Sequence, residues 1–142
     1  MPSLDKYNQV EAGLKAAVER VPGLAGKTFV GHYGDPGVFP RAEIYVETVD
    51  AEERVVGGRS LDHVWGFLIE VVVVSGNERE GYEEVKRLFW GIYDEIMRDR
   101  TLGVEGAWAL PAVSSRLERE IPEEGRYGFV WSMRVNVYVS EV

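Results

Sequence analysis

Residues 64–97 read VWGFLIEVVVVSGNEREGYEEVKRLFWGIYDEIM, and this stretch predicts a long strand followed directly by a long helix. Residues 64–74 are mostly β-branched, aromatic or aliphatic, which is typical of a buried strand. Asn77, followed three residues later by Glu80, forms a capping-box pattern with Asn77 as the N-cap. Apolar residues then recur at helical spacing, as on one side of an amphipathic helix: Tyr82, Val85, Leu88, Phe89, Ile92, Tyr93, Ile96 and Met97. We expect this strand and helix to form the core of a small domain.

Both faces of the predicted strand are apolar, which is the pattern of a strand covered on two sides. One face carries Trp65, Phe67, Ile69, Val71 and Val73, and the other carries Val64, Leu68, Glu70, Val72 and Val74. We expect one face to take the apolar stripe of the helix that follows. For the other face, the cover is either a neighbouring subunit or the first helix of the chain.

The remaining chain adds one helix and four strands. Apolar spacing predicts the helix over 5–21, where Pro22 and Gly23 end it. Strands are predicted over 27–33 and 42–49, with Ile44 and Val46 on the core face and a charged loop or extended hairpin at 50–60. Pro111 within a strand at 106–119 indicates an edge position or a bulge. Strict alternation predicts a long strand over 126–140. The order α-β-β-β-α-β-β, with hairpin-like neighbours, indicates one α+β domain over 1–142 with a mainly antiparallel sheet.

Composition excludes several classes of protein. The chain has 142 residues, no cysteine and a formal net charge of −8, so disulfides and thiolate metal sites are ruled out. An acidic chain is repelled by phosphate, which disfavours electrostatic binding to nucleic acid or anionic lipid. The longest apolar run, Val71–Val74, is far short of a membrane span. Because the start of the chain has no apolar signal region, we expect synthesis and retention in the cytosol.

No residue pattern indicates catalysis. His32 and Asp35 provide at most half of a metal site, and His63 is better explained as a hydrogen-bonding residue at the start of a strand. The glycine-rich stretch 31–37 lacks the lysine of a phosphate-binding loop and fits a turn. The four tryptophans (Trp65, Trp90, Trp108 and Trp131) fit core positions or interface anchors. We therefore expect no enzyme activity, cofactor or metal, and a role in assembly.

The order of elements resembles the tail terminator, or tail completion, proteins of long-tailed bacteriophages. The resemblance rests on the amphipathic first helix, the strand 67–74, the helix end IYDEIM at 92–97 with Thr101-Leu102-Gly103 after it, and the long closing strand. It implies a homo-oligomer, typically a hexameric ring, which caps the tail tube, stops its polymerisation and offers the head a docking face. The implied partners are the tail tube protein and a head-completion or connector protein. The implied location is the head-proximal end of the virion tail after assembly in the host cytoplasm, with DNA passing the channel unbound.

Charged loops are the candidate contact sites, because contacts to other proteins concentrate on projecting loops. They are Glu52, Glu53 and Arg54 in one loop, and Glu118, Arg119, Glu120, Glu123 and Glu124 in a hairpin; solvated loops without a partner are the alternative for both. Two other functions stay open. One is a head–tail connector or neck protein of the same virion class. The other is a small ligand-binding α+β domain or enzyme, which needs a pocket where His32, His63 or Tyr138 meets carboxylates with perturbed pKa values.

Overall fold

The computed structural model describes residues 2–31, 37–53, 61–123 and 125–140, with the backbone alone at 2–3, 51–53, 61–62, 112–116 and 120–123. The elements along the chain are α1 (Pro2–Glu19), β1 (Thr28–Val30), β2 (Arg41–Glu53), β3 (Leu61–Ser75), α2 (Glu78–Arg98), β4 (Ala107–Glu123) and β5 (Arg126–Ser140). This order and the α+β class confirm the sequence prediction.

The strands form one five-stranded sheet in the order β1-β2-β3-β5-β4, so β3 is central. Every neighbouring pair is antiparallel except β1 and β2, which run parallel from Thr28 opposite Ala42 to Val30 opposite Ile44. The prediction of hairpin-like neighbours is therefore wrong for this one pair. The predicted strand at 106–119 is β4, and both expectations for Pro111 are confirmed. β4 lies at an edge, and its register shifts between Pro111 and Ser115.

Both helices pack on the same face of the sheet. The Tyr7 ring of α1 lies 5.1 Å from the Trp65 ring and 5.9 Å from the Phe67 ring, and the Phe89 ring of α2 stacks on Trp131 at 4.4 Å. Side chains on this helix face of the sheet form the core, including Trp65, Phe67, Ile69, Val71 and Val73 of β3 and Met133, Val135, Val137 and Val139 of β5. The opposite face, here called the open face, carries no helix in the described part of the chain. The alternative in which the first helix covers the second face of the central strand is therefore wrong.

Helix α2 begins as predicted. The Asn77 side chain accepts a hydrogen bond from the Glu80 backbone N–H at 3.0 Å, which satisfies one of the free donors of the first turn. The predicted stripe is buried at Val85, Leu88, Phe89, Ile92 and Ile96. Tyr82 and Met97, also predicted in the stripe, are 38% and 40% exposed. They lie at the margin of the contact between α2 and the sheet. This contact buries less of the helix surface than the predicted apolar stripe covers.

Several element bounds differ from the prediction. Helix α1 starts at Pro2, an ordinary first helical position because proline lacks the N–H that would be unpaired there, and it ends at Glu19, two residues before the predicted 21. Strand β2 continues to Glu53 and β3 begins at Leu61, which agrees with the extended hairpin, one of the two alternatives predicted for 50–60. Residues 54–60 lie outside the described residues. Strand β4 runs to Glu123.

The burial pattern of β2 also departs from the prediction. Glu43, which alternates with the predicted core residue Ile44 and is therefore expected on the solvent face, is only 8% exposed. Val46, expected in the core, is 47% exposed. Glu43 lies opposite Glu70 of β3 and forms an ion pair with Arg41 at 3.4 Å, so polar neighbours on the open face enclose it. Val46 lies beyond the pairing with β1, which ends at Ile44.

Candidate interaction surfaces

The open face of the sheet presents a group of exposed apolar side chains near one end of β4 and β5. We call Trp108, Leu110 and Tyr138 the open-face patch; they are 48%, 42% and 43% exposed. Trp108 lies directly opposite Tyr138 in the antiparallel pair, and Leu110 lies opposite Asn136, so the three side chains share one face. Large aromatic side chains at this exposure leave a substantial apolar area in water, which is typical of a protein interface.

Arg100 holds one side of this patch in place. Its guanidinium carbon lies 4.5 Å from the centroid of the Trp108 ring, and its Nε donates a hydrogen bond to the Ala109 carbonyl at 2.9 Å. The backbone supports the same contact, because the Ala109 N–H donates to the Arg100 carbonyl at 2.7 Å. Among the described carboxylates, none forms an ion pair with Arg100. The patch therefore borders on an ordered positive charge that has no carboxylate partner among the described side chains.

A second apolar group lies on the other side of the sheet, between α2 and β4. We call Trp90, Tyr93, Leu117 and Trp131 the helix-side patch. Trp90 is 47% exposed and Leu117 is 37% exposed. The Trp90 ring lies edge-on to Tyr93 at 5.5 Å and to Trp131 at 6.3 Å, and Leu117 lies opposite Trp131 in the sheet. The ring contacts fix the orientation of Trp90 although nearly half of its surface is exposed.

The charged side chains of α2 are mostly paired within the chain. Described ion pairs join Lys86 to Glu83 at 2.7 Å, Arg87 to Glu84 at 2.7 Å and Arg98 to Glu95 at 3.1 Å. Asp94 is exposed and makes no ion pair or hydrogen bond within the described residues. Because it lies four residues after Trp90, Asp94 is on the same side of the helix as that ring. The helix-side patch therefore has a carboxylate without a partner at its border.

The free edges of the sheet are protected against pairing with another strand. The outer edge strand β4 contains Pro111, a register shift between Pro111 and Ser115, and exposed charges at Glu118 and Arg119. Beyond its pairing with β1, strand β2 has a shift between Val46 and Thr48 and an exposed Asp50. Proline, bulges and charges are the usual means by which sheets block edge-to-edge association. The exposed aromatic surface lies on the faces of the sheet.

A polar cluster occupies the open face where β2 meets β3. Glu43 and Glu70 are direct cross-strand neighbours, and Tyr45 lies next to them. Burial raises the pKa of the Tyr45 hydroxyl, and the negative charges of Glu43 and Glu70 raise that pKa further. The phenol accordingly stays protonated and hydrogen-bonds to Glu43. The cluster is part of the packing of the sheet, since Arg41 is also held there by its ion pair with Glu43 and by the Phe39 ring at 4.8 Å.

The structure places the described hairpin candidates at one end of the β4–β5 pair, where Glu123 lies opposite Arg126. Arg119 forms an ion pair with Glu78 at 2.9 Å and lies 5.7 Å from the centroid of the Tyr127 ring, so its guanidinium is held against the start of α2. Glu118 is exposed on β4. Glu120 and Glu123 lie in β4 by their backbone, and Glu124 lies outside the described residues. Contact of this group with another protein stays a prediction.

The other group of candidates is Glu52, Glu53 and Arg54, of which the structure describes the backbone of the first two. Glu52 and Glu53 end strand β2, opposite Asp62 and Leu61 of β3, whereas Arg54 lies outside the described residues. The two candidate groups lie in separate hairpins, β2–β3 and β4–β5, and the described residues do not bring them together. A role in partner contact stays a prediction here as well.

The histidine and metal predictions have separate outcomes. His63 accepts a hydrogen bond at Nδ1 from the Trp65 indole N–H at 3.2 Å, which confirms a hydrogen-bonding role near the start of the strand. His32 and Asp35 lie outside the described residues. Within the described ranges, no three histidine, aspartate or glutamate side chains group as a metal would require. Neither described helix is long and apolar enough to cross a membrane.

Sequence reasoning did not single out the open-face patch. From the sequence, Trp108 is predicted only as one of four possible anchors, and Tyr138 only as a possible residue of a ligand pocket. The available signal was the alternation of Ala107 and Ala109 with Trp108 and Leu110, which places small residues in the core and large apolar ones in solvent. In most strands the large apolar residues face the core, so large apolar residues on the solvent side indicate an interface. They are a better indication of an interface than the charged residues of the hairpins are.

No family model and no curated protein matches this chain. Among solved structures, it is similar to a chain in the virion of a native gene transfer agent particle, with 15% identity, a TM-score of 0.45, and coverage of 94% of this chain and 91% of that one. It is also similar to the sheath/tube terminator of an extracellular contractile injection system, in the extended state, with 14% identity and a TM-score of 0.47. That alignment covers 93% of this chain and 55% of the terminator, so the chain spans about half its length. At these identities the likeness concerns the fold alone.

Proposed function

We propose that this chain is a virion structural protein that forms a ring on the end of a phage tail tube. The ring ends polymerisation of the tube and presents a docking face to the head. The observation that carries this proposal is the open face of the sheet, where Trp108, Leu110 and Tyr138 are exposed on two paired strands. A subunit that buries this face against a neighbour removes these side chains from water.

The composition of the open-face patch suits a stable protein contact. Tryptophan, tyrosine and arginine are the residues most enriched where binding energy concentrates, and Trp108, Tyr138 and Arg100 provide one of each. Their positions are preset by the sheet pairing and by the stacking of Arg100 on Trp108. A preset side chain loses less conformational freedom on binding, so more of the contact energy appears as affinity.

Ring formation also fits the positions of the two patches. The open-face patch and the helix-side patch lie on opposite sides of the sheet and differ in composition. A contact that uses two different patches is heterologous, and repeated contacts of this kind close into a ring or continue as a filament. The net charge of −8 fits passage of DNA through such a ring, because carboxylates repel phosphates and prevent adhesion.

The partners and location follow from this role. One side of the ring contacts the tail tube protein, and the other contacts a head-completion or connector protein. The chain is then a component of the virion, at the head-proximal end of the tail. It acts by contact, with no catalytic step.

The test is the length of tail tubes that assemble in the presence of the protein. Tube protein encoded with this chain is polymerised with and without it, and lengths are measured by negative-stain microscopy. We expect growth to stop, with the protein found at one end of each tube. Unlimited growth with no bound protein would contradict the proposal, and binding without arrest would favour a neck protein. The variant Trp108→Ser should lose the effect, whereas Leu4→Ser, which also replaces an exposed apolar residue (57%) but on α1, should retain it.

A further inference from the structure

The positive charge of Arg100 beside the open-face patch indicates which kind of surface binds there. Arg100 is stacked on Trp108, and none of the described carboxylates pairs with it. On the helix side of the sheet, Asp94 borders the helix-side patch and has no partner in the described chain. We propose that the open-face patch of one subunit binds the helix-side patch of the next copy of this chain, with Arg100 of the first facing Asp94 of the second. This proposal rests on the proposed function, since it names the contact that builds the ring.

Charge decides between this arrangement and its symmetrical alternatives. A two-fold contact of the open-face patch with itself places two Arg100 side chains in one interface, and the patch supplies no carboxylate to pair with them. A two-fold contact of the helix-side patch does the same for two Asp94 side chains, for which that patch supplies no cation. Like charges in close contact are unfavourable in an interface, whereas opposite charges set specificity and register. Contact between the unlike patches pairs the two charges.

The apolar surfaces are also suited to each other. Each patch contains one tryptophan near half exposure, Trp108 at 48% and Trp90 at 47%, each held by neighbouring groups. Leu110 and Tyr138 on one side face Leu117 and Tyr93 on the other in the proposed contact. Aromatic and leucine side chains of this kind form the dry centre of an interface, and the two charges lie beside it.

The edges of the sheet favour this face-to-face contact over strand pairing. Pro111 and the bulge after it interrupt the outer edge of β4, and Val46 to Thr48 is irregular in β2. In the described chain, the outer edge of β4 and the part of β2 beyond β1 present no unbroken row of backbone donors and acceptors to a second subunit. The faces are the surfaces that remain for subunit association.

The test is charge reversal and exchange, measured by size-exclusion chromatography with light scattering, or on tail tubes if the ring forms only there. Asp94→Arg alters an exposed side chain without contacts, so its fold should be unchanged. We expect it to weaken assembly about tenfold or more, as loss of a close interfacial charge pair commonly does. Arg100→Glu should weaken assembly similarly, and the double variant Asp94→Arg, Arg100→Glu should restore it. Lys15→Glu, a charge reversal on α1 that removes only a long surface ion pair with Glu19 (3.7 Å), should assemble as the wild type does.

The outcomes separate the two proposals. Normal assembly of Asp94→Arg, or failure of the double variant to recover although circular dichroism shows it folded, would overturn the proposed contact and leave the ring itself standing. Wild-type protein that never associates, alone or on tubes, would refute the ring and this contact together. Recovery in the double variant, with both single variants folded but monomeric, supports both.

Discussion

Gly13 illustrates how one residue sets the approach of α1 to the turn after α2. A Cβ atom at this position would lie 2.5 Å from the Leu102 carbonyl oxygen and 2.9 Å from the Leu102 Cβ. Leu102 itself is buried and has a left-handed backbone, with φ of 55°, in the Thr101-Leu102-Gly103 segment. A non-glycine residue held in this conformation stores strain of order 1–2 kcal/mol, so surrounding contacts must stabilise it. The close contact with Gly13 is one of them.

Replacing Gly13 with alanine should destabilise the protein. Alanine favours the helix by about 1 kcal/mol over glycine. Overpacking against Leu102 should cost about 1–3 kcal/mol, because the contact is with backbone atoms that move only if the turn moves. We expect a lower midpoint in urea denaturation, and a midpoint equal to or above that of the wild type would contradict the packing described here.

The raised pKa of Tyr45 predicts that the stability of the protein depends on pH. The pKa of its hydroxyl is raised in the folded chain by burial and by Glu43 and Glu70, so the folded state holds this proton more tightly than the unfolded state does. The resulting stabilisation is present below the unfolded pKa of about 10 and is lost as the pH rises through the folded pKa. Tyr45→Phe lacks this titration.

The measurement is urea denaturation of wild type and Tyr45→Phe at several pH values. We expect the wild type to be the more stable of the two near neutral pH, because Tyr45 hydrogen-bonds to Glu43. This advantage should shrink steadily above about pH 10. A difference that stays constant with pH would show that the hydroxyl is not in the environment described.

At the scale of elements, helix α2 depends on its first turn. The Asn77 side chain accepts a hydrogen bond from the Glu80 N–H and so caps the helix. The following residue, Gly81, lets the helix pack against Phe129, because a Cβ atom at position 81 would lie 2.8 Å from the Phe129 ring. Asn77→Ala should lower the free energy of unfolding by about 1 kcal/mol, while Asn77→Asp should be close to neutral because it also accepts the hydrogen bond. Equal stability of all three proteins would contradict the cap.

Local patterns explain which elements were predictable. The N-cap of α2, the alternation of β5 and the edge position of β4 depend on neighbouring residues, and all three were predicted correctly. The side of the sheet on which α1 packs was left open because β3 is apolar on both faces. Only the tertiary contacts of Tyr7 with Trp65 and Phe67 decide it. The prediction that Glu43 faces solvent was wrong for a similar reason: its burial depends on its ion pair with Arg41 and on Glu70, which lies on another strand.

The candidate site was less predictable than the fold. Charged segments such as Glu118 to Glu124 are conspicuous in a sequence, but Arg119 is engaged by Glu78 within the chain. Trp108 and Tyr138 are 30 positions apart and become a single patch only through the antiparallel pairing of β4 and β5. Arg100 joins them because the turn after α2 brings it onto the Trp108 ring.

At the scale of the whole molecule, the described residues form two layers: both helices cover one face of the sheet, and no described helix covers the other. Protected edges and exposed aromatic faces indicate a subunit that associates through faces. Because the two patches differ and carry opposite charges at their borders, the expected association is head-to-tail. Successive copies related in this way close into a ring when the rotation between them allows it.

The mass and shape of the purified assembly test this account most directly. Native mass spectrometry, combined with negative-stain microscopy, should show a closed ring with a central hole. Its mass should be a whole multiple of 16.0 kDa, six subunits being the expected number. A two-fold dimer without a hole, or separate subunits both in solution and on tail tubes, would contradict the central claim that this chain builds a ring by head-to-tail contact.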